Sequence, residues 1–179
     1  MSNAPDLWVF GYGSLVWNPG IEVAETRRAT LHGFRRRFCM WSIHHRGTQE
    51  EPGLVLALEP AVGSRCDGIA LRAAEPVAAI QSLRERELVS SAYHEQRLEL
   101  DTQDGLLGAV GYVMDTAHQQ YVRDLTLEQQ AAIISRAHGD RGPNIEYLLN
   151  TAKGLQDLGI EDPDLQYLVA RVQQIGAER

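Results

Sequence analysis

Short apolar stretches rich in β-branched and aromatic residues recur over the first 115 positions, and a helical period replaces them after residue 125. Leu7–Phe10, about Ala29–Trp41, Leu54–Leu58, Asp67–Arg72, Glu95–Leu100 and Leu107–Met114 read as strands bounded by turn residues. Asp104-Gly105 predicts a hairpin between the last two. One helix interrupts the strands, from Pro76 to about Val89, with the proline in a first turn that has no use for its missing N–H. Farther on, Thr126 with Gln129 three positions later predicts a capped helix start, with Leu127, Ala131 and Ile134 on one face and Gly139 as its end. A second helix from Pro143 repeats apolar residues at Ile145, Leu148, Leu149, Ala152 and Leu155 and stops near Gly159. A third opens at Asp162-Pro163 with the stripe Leu165, Leu168, Val169, Val172 and Ile175. Such stripes are core faces. Strands with one inserted helix, followed by helices, predict an α+β fold on a mostly antiparallel sheet, and the pattern leaves sandwich and barrel open.

At 179 residues and 44% hydrophobic content the chain fits a single domain over residues 1–179. It contains neither a run of about eighteen apolar residues nor a basic start followed by an apolar run, so a cytoplasmic protein with no membrane span is expected. A net charge of −7 opposes nucleic-acid or anionic-membrane partners. Cys39 and Cys66 are too few for a disulfide framework and have no ligand spacing, so buried reduced thiols are expected. The histidines at 32, 44, 45, 94, 118 and 138 lack chelating spacings, and adjacent His44 and His45 would point to opposite faces of a strand. No metal and no organic cofactor is implied. Charge is uneven, with six arginines and no acid between Thr26 and Thr48. This run reads either as a positive wall for an anionic small substrate or as a strand face paired with the acidic remainder.

Two places carry chemistry. The apolar start ends abruptly in Gly11-Tyr12-Gly13-Ser14-Leu15-Val16, a glycine-spaced turn whose backbone can approach a ligand closely and whose amides suit a carboxylate or a developing oxyanion. A dinucleotide fingerprint would need glycine at Val16, and a nucleophile elbow would need it at Tyr12 and Val16, so both are excluded. On the helix from Pro76, Val77, Ile80 and Leu83 set an apolar face, and a step of about 100° per residue puts Arg84 and Glu87 on it and Glu85 on the other side. Glu87 then faces the interior or a cleft mouth. It reads either as a tunable base or as half of an ion pair with Arg84.

The segment Val9-Phe10-Gly11-Tyr12-Gly13-Ser14-Leu15-Val16-Trp17 resembles the signature opening of the ChaC-like γ-glutamylcyclotransferases. Further segments resemble that family in the same order: Gly33-Phe34-Arg35-Arg36-Arg37-Phe38, Ser42-Ile43-His44-His45-Arg46-Gly47-Thr48, Pro52-Gly53-Leu54-Val55-Leu56, Arg86-Glu87 ahead of Tyr93, and Gly142-Pro143-Asn144 with Glu146-Tyr147-Leu148. The likeness runs from residue 8 to about residue 172. Two departures are Ser91-Ala92 where relatives often have Gly-Gly, and His44 where an acid often stands. The resemblance implies a small barrel and an enzyme that splits glutathione into 5-oxoproline and cysteinylglycine, with Glu87 as the catalytic carboxylate. Tyr12 and Tyr147 are then candidates for hydrogen bonds to substrate, and Arg37 or Arg46 for pairing with a glutathione carboxylate. Alternatives are a preference for another γ-glutamyl amine or dipeptide, or a non-catalytic module linked to cation transport. Gly47–Pro52 has loop composition and is a candidate lid.

Overall fold

The structure, a computed structural model, describes residues 5–179. Its elements are β1 (Trp8–Gly11), α1 (Ser14–Trp17), β2 (Val23–Ser42), β3 (Gly53–Ala73), α2 (Pro76–Glu87), β4 (Tyr93–Thr102), β5 (Gly105–Met114), α3 (Leu127–Arg136), β6 (His138–Gly139), β7 (Gly142–Pro143), α4 (Asn144–Asp157) and α5 (Pro163–Ala177). They fall into two compact units. One runs to Arg36 and resumes over Leu58–His118, and the other comprises Arg37–Ala57 and Gln119–Arg179.

The first unit carries a closed barrel in the order β1-β3-β2-β4-β5, with β3 also pairing β5. Closure removes the unpaired edges that an open sheet would expose. Pairing is antiparallel between β1 and β3, with Trp8 opposite Arg72 and Gly11 opposite Ile69, and parallel where β1 and β3 each meet β5. The expected hairpin is present: Thr102 faces Gly105, which has φ +107°, and the Thr102 hydroxyl donates to the Gly105 carbonyl at 2.7 Å. Phe10, Leu58, Cys66, Ala70, Leu100 and Val113 are among its buried core residues. Cys39 of the second unit is also buried, and neither cysteine forms a disulfide.

The two strands expected at 54–58 and 67–72 are one, β3. The intervening Pro60, Val62, Gly63 and Arg65 are exposed, so the segment lacks the apolar alternation that marks a strand in sequence. Gly63, at φ +81°, supplies a left-handed residue inside it, and Gly33, at φ +82°, does so in β2. Buried Glu59 of β3 is compensated by the Arg35 guanidinium at 2.7 Å. The inserted helix is also rotated from the expected face. Ala79 and Leu83 are buried while Val77 is 75% exposed and Arg84 lies outward, because small Ala79 seats against the core and the apolar period is weak.

In the second unit the capping box on α3 forms as the sequence predicts, with the Thr126 hydroxyl accepting from the Gln129 amide and the Gln129 side chain accepting from the Thr126 amide. The helix ends at Arg136 rather than Gly139, because Ala137 turns extended and His138–Gly139 pairs with Gly142–Pro143. Helix α4 ends in a Schellman arrangement: Gly159, at φ +69°, donates to Gln156 and Ile160 donates to Leu155. Asp162 caps α5 by accepting from the Leu165 amide at 3.0 Å. Leu165, Leu168 and Val172 are buried, whereas Val169 and Ile175 are half-buried.

The buried stripe of α4 is Asn144, Tyr147, Leu148, Thr151 and Leu155, which includes polar residues the apolar period passes over, while Leu149 is exposed. Asn144 stands in for a strand partner. Its Oδ1 accepts from the Leu54 amide and its Nδ2 donates to the Leu54 carbonyl, each at 2.8 Å, and one strand step on the Leu56 amide donates to the Tyr147 hydroxyl at 3.1 Å. Replacing Asn144 by Ala strands both backbone groups of buried Leu54, so we expect a loss of roughly 2–4 kcal/mol, read as a lower urea midpoint.

Candidate active site

The glycine turn and Glu87 both belong to the first unit. Gly11 ends β1, and a Cβ there would lie 3.2 Å from Ile69 Cγ1, so close packing is its requirement. Neither Gly11 nor Gly13 adopts a left-handed φ, but Gly13, at φ −141° and ψ −118°, lies outside the regions open to residues with a side chain, so the turn does use glycine's freedom there. Beyond it the chain forms the single-turn helix α1, in which the Val16 amide donates to the Gly13 carbonyl at 3.0 Å and the Asn18 amide to the Ser14 carbonyl at 2.7 Å. The Val16 amide is therefore engaged within the turn itself. Leu15 is buried, and the Tyr12 hydroxyl donates to the Tyr112 carbonyl at 3.3 Å within the barrel core.

Glu87 is the last residue of α2 and its side chain is 15% exposed. Its neighbour on the chain, Arg86, brings Nε to 3.2 Å from Glu87 Oε1. The same guanidinium donates to the Asn18 carbonyl at 2.7 Å and to the Ser14 hydroxyl at 2.8 Å, tying the end of α2 to α1. Arg84 does not take the partner its helical spacing suggests. It forms a two-point bond with Glu95 of β4 at 2.9 and 2.8 Å, because the rotation of α2 points it outward. Glu85 is exposed, as expected.

A second carboxylate therefore lies in this network. Arg84 holds the Glu95 carboxyl below the usual range, and the Tyr112 hydroxyl donates to the same carboxyl at 3.2 Å. Burial, then the negative charges of Glu95 and Glu87, push the Tyr112 hydroxyl far above its ordinary range. Tyr112 is thus a permanent donor near two acids. In sequence Arg86 stands out only as the neighbour of Glu87 in the family resemblance, and Glu95 carries no signal, because the acid–base alternation Glu95-Gln96-Arg97 reads as an ordinary solvated strand face.

Arg37, Arg46 and Tyr147 belong to the second unit. Arg37 donates to the Val122 carbonyl at 3.0 Å. Arg46 is buried, donates to the Pro143 carbonyl at 3.2 Å, lies 3.5 Å from Glu146 and sits over the Tyr147 ring at 5.9 Å. The Tyr147 ring meets Phe38 edge-on. Elsewhere in the arginine run, Arg27 pairs with Glu25 and Arg36 donates to the Tyr12 and Asp67 carbonyls. The run is a paired face. At Gly47–Pro52, Gly47 is packed so closely that a Cβ would fall 2.0 Å from the Gly53 nitrogen, and a Thr48–Glu51 turn closes the tip. Among the described residues no three His, Cys, Asp or Glu side chains form a metal-holding group, and no helix is long and apolar enough to cross a membrane.

Two measurements check this geometry. Ser91, at φ +57°, is the one left-handed non-glycine among the described residues and its side chain is exposed, so Ser91→Gly should stabilise the fold by about 0.5–1 kcal/mol and raise the urea midpoint. The lowered Glu95 carboxyl contributes stability that is present above its ordinary value of 4.5 and is lost as pH falls through the folded value beneath it. Arg84→Met should therefore flatten the acid side of the midpoint-against-pH curve below 4.5 and leave its slope near neutrality unchanged.

The family model described as ChaC-like protein matches residues 7–175. The chain is 36% identical over 175 residues to the glutathione-specific γ-glutamylcyclotransferase of Escherichia coli (strain K12), covering 96% of this chain and 75% of that one. It is 33% identical over 175 residues to the human glutathione-specific γ-glutamylcyclotransferase 1, covering 95% and 78%. Among solved structures, a γ-glutamyl cyclotransferase specific to glutathione from yeast superposes with a TM-score of 0.85 at 23% identity, covering 96% of this chain and 97% of that one, which shows a shared fold.

Proposed function

The chain belongs to the ChaC-like family, and from that premise we propose that it is a γ-glutamylcyclotransferase that cleaves glutathione to 5-oxoproline and cysteinylglycine, with Glu87 as its general base and acid. The family model spans both units, which supports reading residues 1–179 as one such domain. The observation that carries the site assignment is the Arg86 tie, which joins the part-buried carboxylate of Glu87, the last residue of α2, to the glycine turn of the same unit.

The reaction is intramolecular. The substrate's α-amino nitrogen attacks its own γ-carbonyl carbon, a five-membered lactam closes, and the cysteinylglycine amine leaves, with no water consumed. Because nucleophile and electrophile belong to one molecule, holding it folded supplies much of the rate, and no covalent enzyme intermediate is required. In this reading Glu87 takes a proton from the substrate's α-ammonium group and returns one to the departing nitrogen. The Gly11–Val16 turn is the candidate backbone surface for an anionic oxygen of the substrate, with the Val16 amide already engaged by the Gly13 carbonyl. Tyr12, Tyr147, Arg37 and Arg46 carry less of the proposal, because their hydroxyls and guanidinia already engage protein atoms. A cytoplasmic location is part of this reading, and the net charge of −7 opposes binding to nucleic acid.

The test incubates purified protein with reduced glutathione and quantifies both products. Equal amounts of 5-oxoproline and cysteinylglycine are expected, with Glu87→Gln lowering kcat by about 10²–10⁴-fold while the protein stays folded. A folded parent protein that makes neither product overturns the glutathione reading; Glu87→Gln as active as the parent overturns the base.

A further inference from the structure

We propose that Arg86 is a positioning residue for Glu87: its guanidinium fixes the carboxylate relative to the glycine turn, an inference that rests on reading Glu87 as the base. Successive helical residues diverge by about 100°, so neighbours on a helix do not normally meet. Arg86 and Glu87 nevertheless approach to 3.2 Å. The approach is imposed from outside the helix, because Nη1 is bound by the Asn18 carbonyl at 2.7 Å and Nη2 by the Ser14 hydroxyl at 2.8 Å, which leaves Nε to face the carboxylate. The three edges of one planar fork thus have three separate partners.

The seat around that fork is fitted. The Arg86 side chain is only 20% exposed, and the chain leaving α1 turns at Gly20, with φ +65°, where an added Cβ would lie 3.1 Å from Nη1. Asn18 is the C-cap of α1, so its carbonyl would otherwise be an orphan acceptor that Arg86 satisfies. A carboxylate at the last residue of a helix also sits at the negative end of the macrodipole, which makes a nearby cation favourable. Lysine could supply that charge but not three donors in a fixed fork. Orientation and charge are therefore separable contributions of one side chain.

Arg86→Gln and Arg86→Lys, each checked by thermal melting and assayed with glutathione across pH, separate them. For Arg86→Gln we expect kcat to fall by about 10–100-fold with KM within about threefold, since misplacement by about 1 Å costs up to that much. The acid limb of kcat/KM should move to higher pH, because the ionised carboxylate loses its cation. Arg86→Lys should restore the acid limb yet leave kcat about tenfold low. Folded variants with the parent's kcat and pH profile, a loss confined to KM, or loss of the cooperative melt in both variants would each overturn the positioning role. If Glu87→Gln is inactive while the Arg86 variants match the parent, this inference alone fails. If Glu87→Gln matches the parent, the reading of the base fails first.

Discussion

Every buried N–H and C=O along a long strand must find a partner, and β3, from Gly53 to Ala73, is where that constraint shapes the most structure. In the barrel its neighbours are β1 and β2, with a further pairing to β5, while β1 and β5 close the ring. In the second unit the first residues of β3 find their partners on a helix. Asn144 and Tyr147 lie one turn apart on α4 and meet Leu54 and Leu56, two residues apart on the strand. The match explains why a fully buried asparagine opens α4. It also explains the absence of a side chain at position 53, where a Cβ would lie 2.7 Å from Asn144 Oδ1 and 2.3 Å from the Arg46 carbonyl. Arg46 then finishes the turn into α4 by donating to the Pro143 carbonyl.

In the first unit, electrostatics distinguishes two carboxylates that composition treats alike. Glu95 is engaged by the two-point Arg84 bond and the Tyr112 hydroxyl, so its charge is held by the protein. Arg86 meets Glu87 through Nε, while the rest of that guanidinium belongs to α1. The two arginines of the last turn of α2 therefore divide their work, one neutralising a strand acid and the other tying a helix end. Tyr112, kept protonated by burial and by both negative charges, donates rather than competes as a base.

Most elements were legible in the chain because their signals are local. The Thr126–Gln129 capping box, the helix start at Asp162-Pro163 and the Asp104-Gly105 hairpin depend on neighbours within a few residues, and each forms as read. The continuity of β3 was not legible, since an exposed stretch around Val62 carries no alternation and is held by pairing with distant strands. The α4 stripe was misjudged for a related reason: Asn144 and Thr151 are buried by partners that no period in the helix announces.

The site divides along the same line. A glycine turn and an Arg-Glu pair at the end of a helix can be read from residue order, the α+β class follows from the succession of strand and helix patterns, and the reaction class is what the family resemblance implies. Which arginine meets which acid could not be read that way. A rotation of α2 by about one position sends Arg84 to Glu95 and leaves Arg86 to bridge Glu87 with Ser14, a residue 72 positions earlier in the chain. Ion pairs form between side chains that the fold brings within a few ångströms, and helical spacing constrains the direction of a side chain without specifying what awaits it there.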